Sequence, residues 1–382
     1  MINQARAGRY IRQPAGYRAF IPSPLPPEPP ISIDNDMQEL LSKSDRALGR
    51  LDGSIQTLPN PDLFVFMYIR KEAVLSSQIE GTQASLHDVL EAEAKMHNPE
   101  RPSDVHEVLN YIDAMNYGLE RLTTLPLSVR LIREIHARLV LGVRGHLLQP
   151  GEIRQSQNWI GPEGCTLNDA IFVPPPPDMV IKCLGDLETF IHDDTAMPPL
   201  LKIALVHAQF ETIHPFLDGN GRVGRLLITF LLCEREILRT PLLYLSLFFK
   251  QHRQKYYDCL QAIRDSGDFE SWLKFFLRGL AETSNSATET ARQIVDLREK
   301  HRNLILDNLG QRAGRGIALL ELLFQTPTID VKRAVNMLDI SYPNANRLIE
   351  DMTGLGILQE VTGKARYRQF QYRPYISLFE TI

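Results

Sequence analysis

The apolar residues of this chain recur at helical spacing for most of its length. From 37 to about 125 the pattern is that of helices packed by one face. One of them is punctuated by Asn60 as cap, Pro61 at its first position and Gly81 just past its end. Ser85 and Asp88 stand at capping-box spacing before the next, another begins after Ser103, and a further helix is predicted over 128–141. Two core helices follow. Ile203, Val206, Phe210 and Ile213 lie on the first, and Val223, Leu226, Leu227, Phe230 and Leu231 on the second. A polar, glycine-bearing loop separates them. Helical spacing resumes from about 251 to 280, with Tyr256, Tyr257, Trp272 and Phe276, and 281–309 reads as a polar connecting helix.

Alternation is rarer. Within the first three quarters of the chain the one strand signal is a hairpin over 156–173, with arms at 158–160 and 170–173 and a proline run stopping the second arm. Residues 1–35 carry Pro22, Pro24, Pro26, Pro27, Pro29 and Pro30, so they are expected to cross the surface extended, anchored by Tyr10, Tyr17 and Phe20. The last 70 or so residues change character. An apolar helix over 317–324, a short helix after Asp330 and a third capped by Ser341 precede a small hairpin around Gly363 and Lys364. Three helices and a hairpin predict a winged helix-turn-helix. Arg347, Lys364, Arg366, Arg368 and Arg373, interleaved with Tyr367 and Tyr372, would form its phosphate-contacting face, diluted by Glu350, Asp351 and Glu360.

Composition adds limits. The chain has 382 residues, 43% hydrophobic and 23% charged, enough for two or three domains. A formal net charge of −4 gives no support to a protein that coats nucleic acid over its whole surface. Cys165, Cys183, Cys233 and Cys259 form no CxxC pair, which argues against a disulfide scaffold or structural zinc. No apolar run approaches the roughly 20 residues of a membrane span. Together these features lead us to expect a cytoplasmic protein.

The loop from His214 to Arg225 carries the chemistry. His214 ends a buried helix, and an imidazole that titrates near neutrality can take a proton from a hydroxyl. Asp218 can hold a hard divalent cation through oxygen. Gly219 and Gly221 let the backbone N–H groups around Asn220 close on phosphate, and the next helix presents its positive end there. Arg222 and Arg225 lie three apart on its first turn, as forks for phosphate that need negative partners. These parts describe a nucleotide site with a base beside it. Tyr256 and Tyr257 could line an adenine pocket, although core packing accounts for at least one of them.

His214-Pro215-Phe216-Leu217-Asp218-Gly219-Asn220-Gly221-Arg222-Val223-Gly224-Arg225 matches every specified position of the Fic signature, and the chain resembles Fic-family AMP transferases from about Tyr10 to Leu280. The resemblance implies a mainly α fold: a Fic helical bundle with a β-hairpin flap, followed here by a small C-terminal winged helix-turn-helix domain. Expected boundaries are 1–115 for the N-terminal region with its inhibitory helix, 116–280 for the catalytic core, 281–312 for the connecting helix and 313–382 for the winged helix. It implies an ATP-binding, magnesium-dependent nucleotidyltransferase that moves AMP onto a Tyr, Thr or Ser hydroxyl of a target protein. His214 would be the base and Asp218 the magnesium ligand. Gly219, Asn220 and Gly221 would seat the α-phosphate, Arg222 and Arg225 the outer phosphates, and Phe216 would pin the loop. Ser76-Ser77-Gln78-Ile79-Glu80-Gly81 resembles the family's inhibitory motif, in which Glu80 would pair with Arg225 and block the γ-phosphate. The hairpin would be the target-docking flap, taking a peptide by β-augmentation.

Other readings stay open at this point. The same site could remove AMP, with Glu80 orienting water. The core could be a ligand sensor for a regulator that binds DNA through its winged helix. Homodimerisation is a further expectation. His207, His214 and Asp218 could ligate a hydrolytic metal, against which Pro215 and the glycines break the helix between them.

Overall fold

A computed structural model describes residues 4–56, 62–95, 102–142, 149–162, 164–193, 197–364 and 366–380. The chain opens with α1 (Gln4–Ala7), β1 (Gly8–Arg12) and β2 (Arg18–Pro22). Then come α2 (Asn35–Gln56), α3 (Asp62–Ile79), α4 (Leu86–Glu93), α5 (Val105–Leu122) and α6 (Val129–Leu139). The bundle is completed by α7 (Pro177–His192), α8 (Pro199–Ile213), α9 (Asn220–Glu234), α10 (Ser246–Gln251), α11 (Arg253–Ser266) and α12 (Phe269–Leu309).

At the centre stand α8 and α9. Every residue of α8 from Leu200 to Ile213 is buried, the mark of a helix packed on all sides. α9 is buried from Arg222 to Leu232, so the polar loop between the two is held by the core at both ends. α3 ends at Ile79 and Gly81 follows at φ +104, as the glycine punctuation predicts; the proposed cap Asn60 and Pro61 lie outside the described residues. The Ser85–Asp88 capping box forms in full, and Ser128 accepts from the Leu131 N–H at the start of α6.

Three expectations need correction. First, the N-terminal segment is a hairpin as well as a strap. β1 and β2 pair antiparallel with Tyr10 opposite Phe20, and their rings meet edge to face at 5.0 Å. The turn is made by Gln13, which exchanges hydrogen bonds with Tyr17 and Gly16, the glycine standing at φ +97. Second, among the described residues the expected flap hairpin shrinks to one bridge, Ile160 to Phe172. The segment is pinned from outside instead: the Phe20 N–H donates to the Val173 carbonyl, Phe20 lies 5.9 Å from the Phe172 ring, and Tyr17 donates to Gln157. Third, no break separates core from connector at 280. α12 is one helix of 41 residues that packs along α2 and ends at Gly310, φ +50.

The C-terminal unit has the expected winged plan: α13 (Ala313–Leu323), β3 (Thr328–Ile329), α14 (Val331–Leu338), α15 (Tyr342–Gly354), β4 (Gln359–Glu360), β5 (Phe370–Gln371) and α16 (Arg373–Glu380), with sheet order β3-β5-β4. Ser341 sits at the N-cap of α15 but its hydroxyl makes no capping bond. Tyr372 is no part of a basic surface. It is fully buried with its hydroxyl on His301 Nδ1 at 2.8 Å, and Arg373 pairs with Glu380. Arg347, Lys364, Arg366 and Tyr367 are exposed. α16 folds back onto the bundle, where Phe379 meets Tyr68 of α3 edge to face at 5.3 Å and its carbonyl accepts from Lys71 Nζ.

Candidate active site

His214 caps α8 in the left-handed conformation (φ 49°, ψ 61°), its N–H on the Phe210 carbonyl at 2.9 Å. That bend, followed by Pro215, ends the helix and aims the loop away. Phe216 turns back and is wholly buried, stacked on His136 of α6 at 3.7 Å and 5°. His136 Nδ1 accepts from the Gly151 N–H, which leaves Nε2 to donate to the Asp218 carbonyl at 3.1 Å. The Asn220 amide closes the loop on itself. Its oxygen accepts from Phe216 N and its nitrogen donates to Phe216 O, both at 2.8 Å. From the base of the flap, Arg154 and Asn158 donate to the His214 carbonyl at 2.9 and 3.2 Å. Few of the loop's polar groups are left to wander.

Gly219, at φ +76, starts α9 without a side-chain cap, so the first turn presents its N–H groups and the positive end of the helix to an anion. A carboxylate already occupies this place. Glu80 Oε1 accepts from Arg225 Nη2 at 2.6 Å, and a Cβ added to Gly221 would lie 2.2 Å from that same oxygen. Ser76, one turn earlier on α3, supplies the rest of the clamp: its hydroxyl and carbonyl accept from Arg225 Nε and Nη2 at 2.8 and 2.9 Å. Arg225 is 1% exposed and Glu80 about a third, at 36%. Burial alone would raise the Glu80 carboxyl's pKa, but the Arg225 guanidinium outweighs it and holds the group below the usual carboxylate range. Arg222 takes a different partner, Glu107 of α5 at 2.8 Å, with a looser 3.4 Å contact to Asp218. Both arginines therefore have the negative partners their position demands.

The His214 ring is half-buried, within reach of the Glu211 backbone one turn earlier. Burial, then the charges of Arg264 and Arg154, lower its pKa to about 4, so the imidazole is neutral and able to accept a proton throughout the neutral range. The Asp218 carboxylate is 51% exposed at the mouth of the loop, with Oδ1 on the Gly219 N–H and Oδ2 holding only the long Arg222 contact. One open carboxylate beside an anion site at a helix start fits magnesium, which is commonly held by one or two carboxylates plus substrate phosphates. Tyr257 is 38% exposed and within electrostatic reach of Glu80 and Arg225, whereas Tyr256 is core. The Tyr256 hydroxyl is spent on His207 Nε2, whose Nδ1 meets the Gly224 carbonyl. With both ring nitrogens of His207 engaged in the core, the hydrolytic metal set of His207, His214 and Asp218 does not assemble.

The sequence reading missed His136, Glu107 and Arg154, each of which fixes a motif residue from another element. It also missed Glu211, one turn before His214. Burial pushes this carboxyl up to about 7, and among the described residues one of its oxygens has no hydrogen-bond partner. A glutamate in an otherwise nearly uncharged helix was the available signal.

Known protein families match this chain over the residues that build the site. Residues 38–120 match the Fic/DOC family N-terminal domain and residues 126–232 the Fic/DOC family domain. Protein adenylyltransferase Fic of Aedes aegypti is 32% identical over 205 residues, covering 52% of this chain and 37% of that protein. Its counterpart from Culex quinquefasciatus is 31% identical over the same length and shares. The chain thus spans well under half the length of these curated relatives. Among solved structures, a Fic family protein from Desulfovibrio desulfuricans G20 superposes with a TM-score of 0.59 at 20% identity, over 90% of this chain and 97% of that one, a likeness of fold. Residues 38–120 and 126–232, which build the clamp and the motif loop, thus carry the N-terminal and core domains of the Fic/DOC family.

Proposed function

We propose that this protein is an adenylyltransferase that moves AMP from ATP to a hydroxyl side chain of another protein and is held inactive by Glu80. The observation that carries the reading is the Arg225 clamp. A carboxylate stands in the anion site of the motif helix, beside a neutral histidine able to accept a proton. With Glu80 withdrawn, Arg225, Arg222 and the N–H groups at the start of α9 would receive the phosphates, and Tyr257 would stand beside the base. Asp218 would hold magnesium, which when bound draws charge from the phosphate oxygens. His214 takes the proton of the target hydroxyl, the oxygen attacks the α-phosphorus, and the bond to pyrophosphate breaks. Positioning and charge supply most of the rate.

The four exposed side chains of α15 and the wing leave duplex DNA as a second partner under this reading, and a homodimer as its assembly. The test of the main proposal uses α-labelled ATP with magnesium and a lysate. Glu80→Gly protein should label proteins, itself included, far more than the parent, and Glu80→Gln should fall between. Equal or weaker labelling by Glu80→Gly would reject inhibition by Glu80. Arg225→Ala should stay inactive, since it removes the phosphate contact together with the clamp.

A further inference from the structure

The N-terminal hairpin has a charge pattern that the fold itself does not use. Residues 1–27 contain no Asp or Glu, and Arg12 stands directly opposite Arg18 in the antiparallel register. Both are exposed, and among the described residues neither has an ion pair. Like charges facing each other across a strand pair are unfavourable in the free protein. Arg6, by contrast, is paired with Glu270 at 2.8 Å, so the segment does find acids where it needs anchoring.

Where this pair sits matters. Arg12 and Arg18 share a face with Tyr10 and Phe20, and the Arg18 guanidinium lies over the Tyr10 ring at 5.2 Å. That face borders a cleft of about 330 Å³ between hairpin and flap, lined by Tyr10, Tyr17, Arg18, Asn168, Ile171 and Val173. The flap carries two large apolar side chains in water, Ile171 at 62% and Trp159 at 42% exposure. The cleft is coupled to the reacting end. β2 donates to the second flap arm at Val173, and the base of the flap donates to the His214 carbonyl through Asn158.

We infer that the hairpin and flap together form the docking surface for an extended, acidic segment of the target protein. An apolar residue of that segment rests against Ile171 or Trp159, and a carboxylate bridges Arg12 and Arg18. A carboxylate placed between two arginines turns their repulsion into two charge-assisted hydrogen bonds. The inference rests on the adenylyltransferase reading and adds the charge of the substrate to it.

The experiment uses full-length Glu80→Gly protein, checked first for self-labelling from α-labelled ATP. Transfer is measured to three synthetic peptides that share a central tyrosine and one apolar residue. They differ only in flanks, which are Asp and Glu, Asn and Gln, or Lys and Arg. The KM for the acidic peptide should lie about tenfold below that of the neutral one, with the basic peptide poorest. Arg12→Gln/Arg18→Gln should shrink the acidic preference to about twofold or less, as should salt near 0.5 M in the unsubstituted surface. Equal KM values, a preference that survives in the double variant, or no transfer to any peptide by a self-labelling enzyme would overturn the docking surface alone. So would a short DNA duplex that abolishes transfer through the same two arginines, which would assign them to nucleic acid. Absence of self-labelling takes down the adenylyltransferase reading as well.

Discussion

The motif loop and the flap lie side by side and are built in opposite ways. Apart from Asp218 at its mouth the loop is buried or half-buried, stacked on His136, closed by the Asn220 amide and held by donors from α6, α9 and the base of the flap. Among its described residues the flap has a single bridge pair and two large apolar side chains in water. Under the proposed reading the difference follows from two tasks. Proton transfer and phosphoryl chemistry lose orders of magnitude when atoms move by an ångström, so the loop is over-determined. Recognition of another chain needs backbone groups and apolar surface left unspent, so the flap is under-determined.

The comparison can be sharpened by substitution. In the Glu80→Gly background, His214→Ala should lower AMP transfer by roughly a hundredfold to ten-thousandfold while ATP binding survives. Retention of the parent rate would remove His214 as the base. Phe216→Ala should cost about 3–5 kcal/mol in urea unfolding, because a wholly buried ring stacked on His136 leaves a cavity. A loss below about 1 kcal/mol would mean the loop is not anchored there.

Acid should act on the core around the loop before it acts on the flap. His207 and His136 are buried and neutral, with pKa values lowered by burial to about 3 and about 4. The unfolded chain, with histidines near 6.5, binds more protons between those values and 6.5. Stability contributed by keeping them neutral is present above 6.5 and lost as pH falls toward 4. For His207 alone the loss at pH 5 is roughly 2 kcal/mol. Unfolding midpoints at pH 7 and pH 5 measure it, and equal midpoints would contradict it. Ile171→Ala in the flap should be the mildest change, within about 0.5 kcal/mol in stability. Its effect should appear in the KM for a protein target, without which the flap is mere surface.

How much of this could be read from residues alone depended on how local each signal was. The capping box at Ser85, the stop at Gly81 and the two helices around the loop rest on neighbours within a few positions, and all formed. The pairing of Glu80 with Arg225 was legible through the resemblance of 76–81 to the family's inhibitory motif, and a cation at a helix start, which demands an anion, is consistent with it. The β1–β2 hairpin was obscured by the prolines that follow it, although Pro14 and Gly16 marked its turn. Tyr372 sat among arginines in sequence yet points at His301, 71 positions away. No window of residues contains that contact. Glu107 and His136 were illegible for the same reason, since each meets its partner across the bundle.

One further property follows from the way α3 is fastened. Near its middle, Tyr68 donates to the Ala287 carbonyl of α12 and Lys71 to the Phe379 carbonyl of α16. One residue on, Glu72 accepts from both the hydroxyl and the N–H of Ser246, and at its end Ser76 and Glu80 grip Arg225. In hydrogen-exchange terms the helix has no free end at Glu80 from which to fray. Its last turns should open only in a cooperative unit that includes α12 and α16, so their amides should exchange as slowly as those of the central α8. Cutting the chain inside α12 would remove two of these fastenings along with the winged helix. The same amides would then exchange quickly, and the carboxylate over Gly221 would spend part of its time elsewhere.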